Sequence, residues 1–192
     1  RIIKFIRKNN ININFFLDVG SHMGTYTDLI INNFIDCKVF MFEPQKSIFK
    51  KIKLKYKKYR NIKIFNCAIS NQSTAKIINI NKHDLTSSLT KLDLNNKYLQ
   101  IKSKLFGTTP SGMIIKKMKV KTKKLYQVIK LNKIRNIDLV KIDTEGHELE
   151  VLKGIQQSIK NIKYILIEFH NDKIFLSYDP KKIHKYLIKN NF

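Results

Sequence analysis

Long apolar runs are missing from this sequence. No stretch approaches the roughly 18–20 consecutive apolar residues that span a bilayer. The opening Arg1-Ile2-Ile3-Lys4-Phe5-Ile6-Arg7 is too short and too charged for a secretory signal. Cysteine is scarce: Cys37 and Cys67 give neither a metal-ligand spacing nor a disulfide framework. A reducing, cytoplasmic setting is the simpler expectation. Arginine is scarce too, since only Arg1, Arg7, Arg60 and Arg135 contribute to the 38 basic residues. The net charge of +24 invites a nucleic-acid reading. Proteins that read phosphates or bases, however, favour the planar fork of arginine. Lysine, isoleucine and asparagine are abundant throughout, as an AT-rich coding sequence produces. No specific nucleic-acid partner is expected, although weak, salt-sensitive attraction to polyanions follows from the charge. The dinucleotide pattern G-x-G-x-x-G and the Walker A motif are absent as well, which disfavours NAD and ATP.

What is present is enough for one core. The chain has 192 residues, of which 43% are apolar, so one domain with a substantial interior is expected without disulfide or metal support. Strand-like and helix-like segments alternate, predicting an α/β fold with a mostly parallel sheet. Strands are expected at 14–19, 38–43, 62–66, 138–143 and 164–169, with a half-exposed strand at 76–80 and a further one at 119–122. Helices are expected at 2–8, 25–34, 47–59, 124–131, 148–153 and 181–189. Ile48, Ile52 and Tyr56 share one stripe of a very basic helix. Gly154 would close the helix before it, and Pro180 would open the last one. Residues 81–118 read as an irregular insertion, where Ser87 and Ser88 are candidates for an acceptor pocket.

Four strand ends carry distinctive residues: Asp18-Val19-Gly20, Glu43-Pro44, Lys141-Ile142-Asp143 and Glu168-Phe169-His170. An open parallel sheet binds ligands at these carboxyl ends. Gly20 and Gly24 allow a tight turn, and the helix amides after it can hold an anion. Glu43, one strand later, can accept hydrogen bonds from both hydroxyls of a ribose. This order suits a nucleoside cofactor.

At this point the sequence resembles the FkbM-type methyltransferases. The matching pieces are Phe16-Leu17-Asp18-Val19-Gly20-Ser21-His22-Met23-Gly24, Val39-Phe40-Met41-Phe42-Glu43-Pro44, Asn66-Cys67-Ala68-Ile69-Ser70, the run from Lys141 to Gly154, and Ile165-Leu166-Ile167-Glu168-Phe169-His170. The run Lys141-Ile142-Asp143-Thr144-Glu145-Gly146-His147-Glu148 is its most specific part. The resemblance implies a Rossmann-like methyltransferase fold, with helices on both faces of the sheet, that binds S-adenosylmethionine. It implies methyl transfer to a hydroxyl of a small molecule, sugar or glycan. Carried over, Asp18, Gly20, Ser21 and Gly24 surround the methionine end of the cofactor. Glu43 holds the ribose, Cys67 and Ala68 lie near the adenine, and Asp143 sits beside the sulfonium and acceptor.

Asp143 is the leading candidate for positioning or proton removal, with Glu145 and His170 as alternatives. Glu145 and Glu148 equally suit the N-terminus of the following helix, and His22 and His147 are read as incidental. Asp143, Glu145 and His170 are suitable ligand types for a divalent metal, but three scattered candidates are not a metal signature. The chain does not begin with Met, and it stops at Asn190-Asn191-Phe192, where the usual antiparallel hairpin of this fold would begin. The expectation is one domain over 1–192, truncated at both ends, with a sheet lacking that hairpin and one edge unprotected. An RNA methyltransferase and a catalytically inactive cofactor-binding fragment are the competing readings. Oligomeric state is not legible.

Overall fold

The computed structural model describes residues 2–81 and 87–192; residues 82–86 of the expected insertion, and Arg1, lie outside the described residues. Five strands form the main sheet: β1 (Phe15–Val19), β2 (Lys38–Phe42), β3 (Ile62–Phe65), and then, after two intervening strands of a second sheet and the longer strand that joins them, β7 (Ile137–Ile142) and β8 (Ile162–Ile167). Their order is β3-β2-β1-β7-β8, and all neighbouring pairs are parallel. The chain therefore builds outward from β1 in one direction, then crosses and builds outward in the other. The fold is mostly parallel α/β of the Rossmann-like kind.

Side-chain alternation explains why these segments are strands. Phe16, Val39, Met41 and Leu139 point to one face and pack with Ile6 of α1 (Ile2–Lys8), Ile30 of α2 (Thr25–Ile31), and Ile48 and Ile52 of α3 (Lys46–Lys55). Leu17, Val19, Phe42, Val140 and Ile142 point to the other. There they meet Val128 of α5 (Leu125–Leu131), Val151 and Leu152 of α6 (Glu148–Ile155) and Ile183 of α7 (Pro180–Lys189). Strands covered on both faces read as near-continuous apolar runs, and every residue of β7 is buried. Asp138 is the polar exception near its start. Burial works against its charge, but Lys163 Nζ at 2.7 Å and the Asn14 and Phe15 amides outweigh it, and its pKa is lowered. That carboxylate joins the start of β1 to β7.

A second sheet, in the order β4-β6-β5, combines β4 (Ala68–Ile69), β5 (Ala75–Asn81) and β6 (Ile114–Lys123). β5 runs antiparallel to β6, and β4 runs parallel to it. The segment expected to be irregular holds more structure than its sequence suggests. It contains α4 (Lys97–Leu105), and β6 begins at Ile114 rather than 119. Only Leu99 and Ser103 of α4 are buried, so its apolar period is thin. β6 exposes Lys116, Lys117, Lys119, Lys121 and Lys123, which blurs the alternation of a strand. A small satellite core of Leu92, Leu99, Met113, Ile174 and Phe175 fastens this segment to the stretch after β8.

The last helix begins as expected, with Pro180 in its first turn and the Asp179 side chain accepting the Lys181 and Lys182 amides. β8 forms one edge of the main sheet, and no strand follows α7 among the described residues. No described helix is long and apolar enough to cross a membrane. Gly154 differs from expectation. It lies inside α6, and the residue with positive φ that ends the helix is Gln156. The constraint on Gly154 is steric, since a Cβ there would stand 2.2 Å from the Ser70 carbonyl oxygen. Gly154→Ala must push α6 away from the end of β4. Urea unfolding should show a loss of about 1–3 kcal/mol, the usual cost of overpacking, whereas exposed Lys153→Ala stays within about 0.5 kcal/mol of the parent.

Candidate active site

The carboxyl ends of β1, β2 and β7 meet where the strand order reverses, the place where open α/β sheets bind ligands. A cavity of about 100 Å³ opens there, at the position where such folds place their small-molecule sites. Gly20 and His22 contribute from the turn after β1, Glu43 and Pro44 from the end of β2, and Asp143, Thr144, Glu145 and His147 from the turn after β7. Ala68, Ile69, Ile78 and Leu89 form an apolar wall, with Ser87 beside it. Among the described residues, the lining carries three acids and no lysine or arginine, an acidic set in a chain of net charge +24.

The turn after β1 is shaped by what packs on it. Gly20 has φ +76°, and a Cβ there would fall 1.9 Å from the Asp143 carbonyl oxygen. Its freedom is used for a close approach between the β1 and β7 ends. Gly24, with φ +81°, would collide with the Tyr56 hydroxyl, which donates to the Gly24 carbonyl at 2.9 Å. Behind the turn, Lys141 is buried in the central strand. Its Nζ lies 2.7 Å from the Gly20 carbonyl oxygen, 3.2 Å from Asp143 Oδ2 and 3.5 Å from Asp18 Oδ1. Burial alone would lower its pKa, but the Asp18 and Asp143 charges more than offset this and raise it. Asp18 Oδ2 also accepts from Thr27 Oγ1 at 2.8 Å.

Glu43 is 3% exposed, and its two carboxylate oxygens accept the His22 amide at 3.0 Å and the Gln45 amide at 2.7 Å. Desolvation dominates these contacts and lifts its pKa to about 7. Each oxygen keeps a lone pair for a ligand donor. The turn after β7 is braced by Glu148, whose Oε1 accepts the Thr144 and Gly146 amides at 2.9 and 3.2 Å and the Thr144 hydroxyl at 3.1 Å. That brace holds Glu145 at φ +54°. Burial, then the charges of Asp143, Glu168 and Glu148, raise the Glu145 carboxyl to about 8. His147 contacts Ser70 Oγ through Nε2 at 3.0 Å, and burial together with Lys76 pushes its pKa down to about 4.

Of the residues singled out from sequence, Gly20, Glu43, Ala68, Asp143, Glu145 and Ser87 line the cavity. Asp18, Ser21, Gly24 and Cys67 lie behind its wall, all buried in the elements that shape it. Ser88 is also buried, and its hydroxyl donates to the Glu145 carbonyl. His170 stands apart from the cavity. Its ring meets Phe175 and Tyr178 edge-on, and its Nε2 lies 3.9 Å from Glu148 Oε1. His22 and His147, read as incidental, line the cavity instead. Lys141 had no role assigned from sequence, and Glu148 only that of an acid at a helix N-terminus, although a lysine inside an otherwise apolar strand is itself a signal of a buried charge network. Among the described residues, no group of three or more His, Cys, Asp or Glu side chains could hold a metal ion.

The family model of the methyltransferase FkbM domain matches residues 18–192. The chain belongs to the FkbM methyltransferase family. It is similar to the hexuronic acid methyltransferase AglP of Haloferax volcanii, with 24% identity over 170 residues, 88% of this chain. This FkbM chain spans 59% of that relative's length. Among solved structures, it is similar to the precorrin-6y C5,15-methyltransferase of Geobacter metallireducens GS-15, at 11% identity and a TM-score of 0.46, covering 94% of this chain and 63% of that one.

The raised Glu145 carboxyl has a consequence for stability. The folded protein holds a proton there that the unfolded chain releases above about pH 4.5, so folding weakens as pH rises from about 4.5 to about 8. Glu145→Gln removes this cost. Thermal melts should show the variant more stable than the parent by roughly 1–3 kcal/mol at pH 8, discounted for partial exposure, with no gain at pH 4. A variant less stable than the parent at pH 8 would mean that the carboxylate has a stabilising partner.

Proposed function

We propose that this FkbM-family chain transfers a methyl group from S-adenosylmethionine to a hydroxyl oxygen of a sugar or glycan. The observation that carries the reading is Glu43. It is a nearly buried carboxylate at the end of the strand beside β1, anchored by two backbone amides and facing the cavity at the carboxyl ends of the sheet. Its remaining lone pairs suit the two hydroxyls of a ribose. Ala68 and Ile69, with Cys67 behind them, offer an apolar surface for an adenine. The acidic lining of Asp143 and Glu145 favours the positive end of the cofactor over an anion. The AglP relative acts on a hexuronic acid by name, which supports a sugar as the acceptor class.

Held by Glu43 and the turn at Gly20, the cofactor would supply an electrophilic methyl group with a neutral thioether as its leaving group. The chain's own part is alignment and proton management. Asp143 orients the acceptor hydroxyl and takes its proton. Lys141 fixes the Asp143 carboxylate from behind and, through the Gly20 carbonyl, ties it to the turn that frames the cofactor. Glu148 holds the backbone of the following turn so that Glu145 stays at the rim. Residues 1–192 act as one methyltransferase domain in this reading.

An ionised carboxylate accepts from both ribose hydroxyls and binds them more strongly than a neutral carboxyl, so cofactor affinity should rise with pH through the Glu43 transition near 7. Calorimetric titration with S-adenosylmethionine should show roughly tenfold tighter binding at pH 8 than at pH 6. Glu43→Ala should weaken binding at pH 8 by between one and two orders of magnitude, about 1.5–3 kcal/mol for hydrogen bonds to a charged group, and should flatten the pH dependence. A Glu43→Ala protein that binds as tightly as the parent would sink the ribose assignment.

A further inference from the structure

A second cleft, of about 200 Å³, adjoins the first through Asp143. Tyr26 of α2 forms one wall, Leu166, Ile167 and Glu168 at the end of β8 form another, and Lys141, Ile142 and Asp143 complete it. The Tyr26 ring is partly exposed and sits 5.1 Å from Lys141 Nζ. The Glu168 and Asp143 carboxyls are hydrogen-bonded neighbours. An aromatic wall, two carboxyl groups and an apolar floor are what a sugar ring requires. Its C–H face packs on the ring, and its hydroxyls donate to the carboxyls.

We propose that this cleft is the acceptor subsite, and that it takes a sugar ring presenting adjacent hydroxyls and no carboxylate at this face. Tyr26 and Glu168 hold the ring while Asp143, common to both cavities, reaches the reacting hydroxyl. The assignment rests on the methyltransferase reading above. The preference for a neutral face follows from the cleft's charges. Among the described residues, Lys141 is the only cation in its lining, and that ammonium is already committed to Asp18, Asp143 and the Gly20 carbonyl. A uronate carboxylate would meet Glu168 and Asp143 without a partner of its own, and an unpaired anion is costly there. Desolvation, then Asp143, raises the pKa of Glu168, so this position already resists one more negative charge.

Saturation-transfer NMR on the full chain, with methyl hexopyranosides as probes, reads the cleft without requiring the cofactor. The parent and Tyr26→Phe should transfer magnetisation to the sugar ring protons. Tyr26→Ala should bind about tenfold more weakly, and the matching methyl hexuronopyranoside should bind about tenfold more weakly to the parent. Equal binding by Tyr26→Ala and the parent, equal binding of the uronoside, or no glycoside signal at all would overturn the proposal. In the transfer reaction, Glu168→Gln and Tyr26→Ala should raise KM for the sugar while leaving S-adenosylmethionine affinity within about twofold of the parent. Methyl transfer by Tyr26→Ala with the parent's KM would overturn the subsite and leave the function standing. Glycoside binding in a parent that neither binds the cofactor nor transfers methyl would do the reverse.

Discussion

Lys141 places a positive charge in the middle of a sheet whose neighbouring residues are almost all apolar. A buried ammonium survives there only with full compensation, because desolvation costs several kcal/mol per ion before any pairing. Its compensation is distributed: the Asp18 carboxylate from β1, the Asp143 carboxylate from the end of its own strand, and the Gly20 carbonyl from the turn between β1 and α2. One side chain therefore sets the relative positions of the turn, the β7 end and the acid at the junction of the two cavities. The close approach of Gly20 to the Asp143 carbonyl belongs to the same arrangement. Removing either carboxylate leaves a buried charge underpaired, so the network behaves as a unit.

The carboxyls around this network are held where ionisation is difficult. Glu43 and Glu145 are both pushed up toward or past neutrality by burial. Each opposes folding at neutral pH, and each faces a cavity where a ligand can supply what the protein withholds. Ribose hydroxyls would relieve Glu43, and a cationic cofactor would relieve Glu145. Perturbed carboxyls in a cleft are a recurrent mark of functional sites, and the stability they forgo is returned on binding.

The parts of the molecule that were legible in sequence are those with simple burial. β1, β2 and β7 are covered on both faces, so each appears as an apolar run that stops at an acid or glycine. The helix stripe Ile48, Ile52 and Tyr56 is buried as its spacing demands. Glu43 and Asp143 were legible because they follow such strands directly. α4 and the first half of β6 were not, since each buries little and carries lysines where alternation would be read. Gly154 misled because a glycine near a helix end usually marks a cap, whereas here a carbonyl from a distant strand occupies the space its side chain would need. His170 ends a segment that looks like a strand end, yet the chain turns there and the ring packs between Phe175 and Tyr178. No pattern within the strand itself announces a turn decided by residues that follow it.

The pairing of β1 with β7 also bears on how the protein is made. β1 emerges before β7 and can pair with β2 soon after it is made, but its other flank stays open until Leu139 to Ile142 arrive. The insertion around α4 waits longer still, because its small core includes Ile174 and Phe175. Contacts so distant in sequence close slowly. The turn at Gly20 therefore leaves the ribosome well before the carbonyl it is shaped around, and the central strand is enclosed only after the long stretch up to Ile142 has followed it.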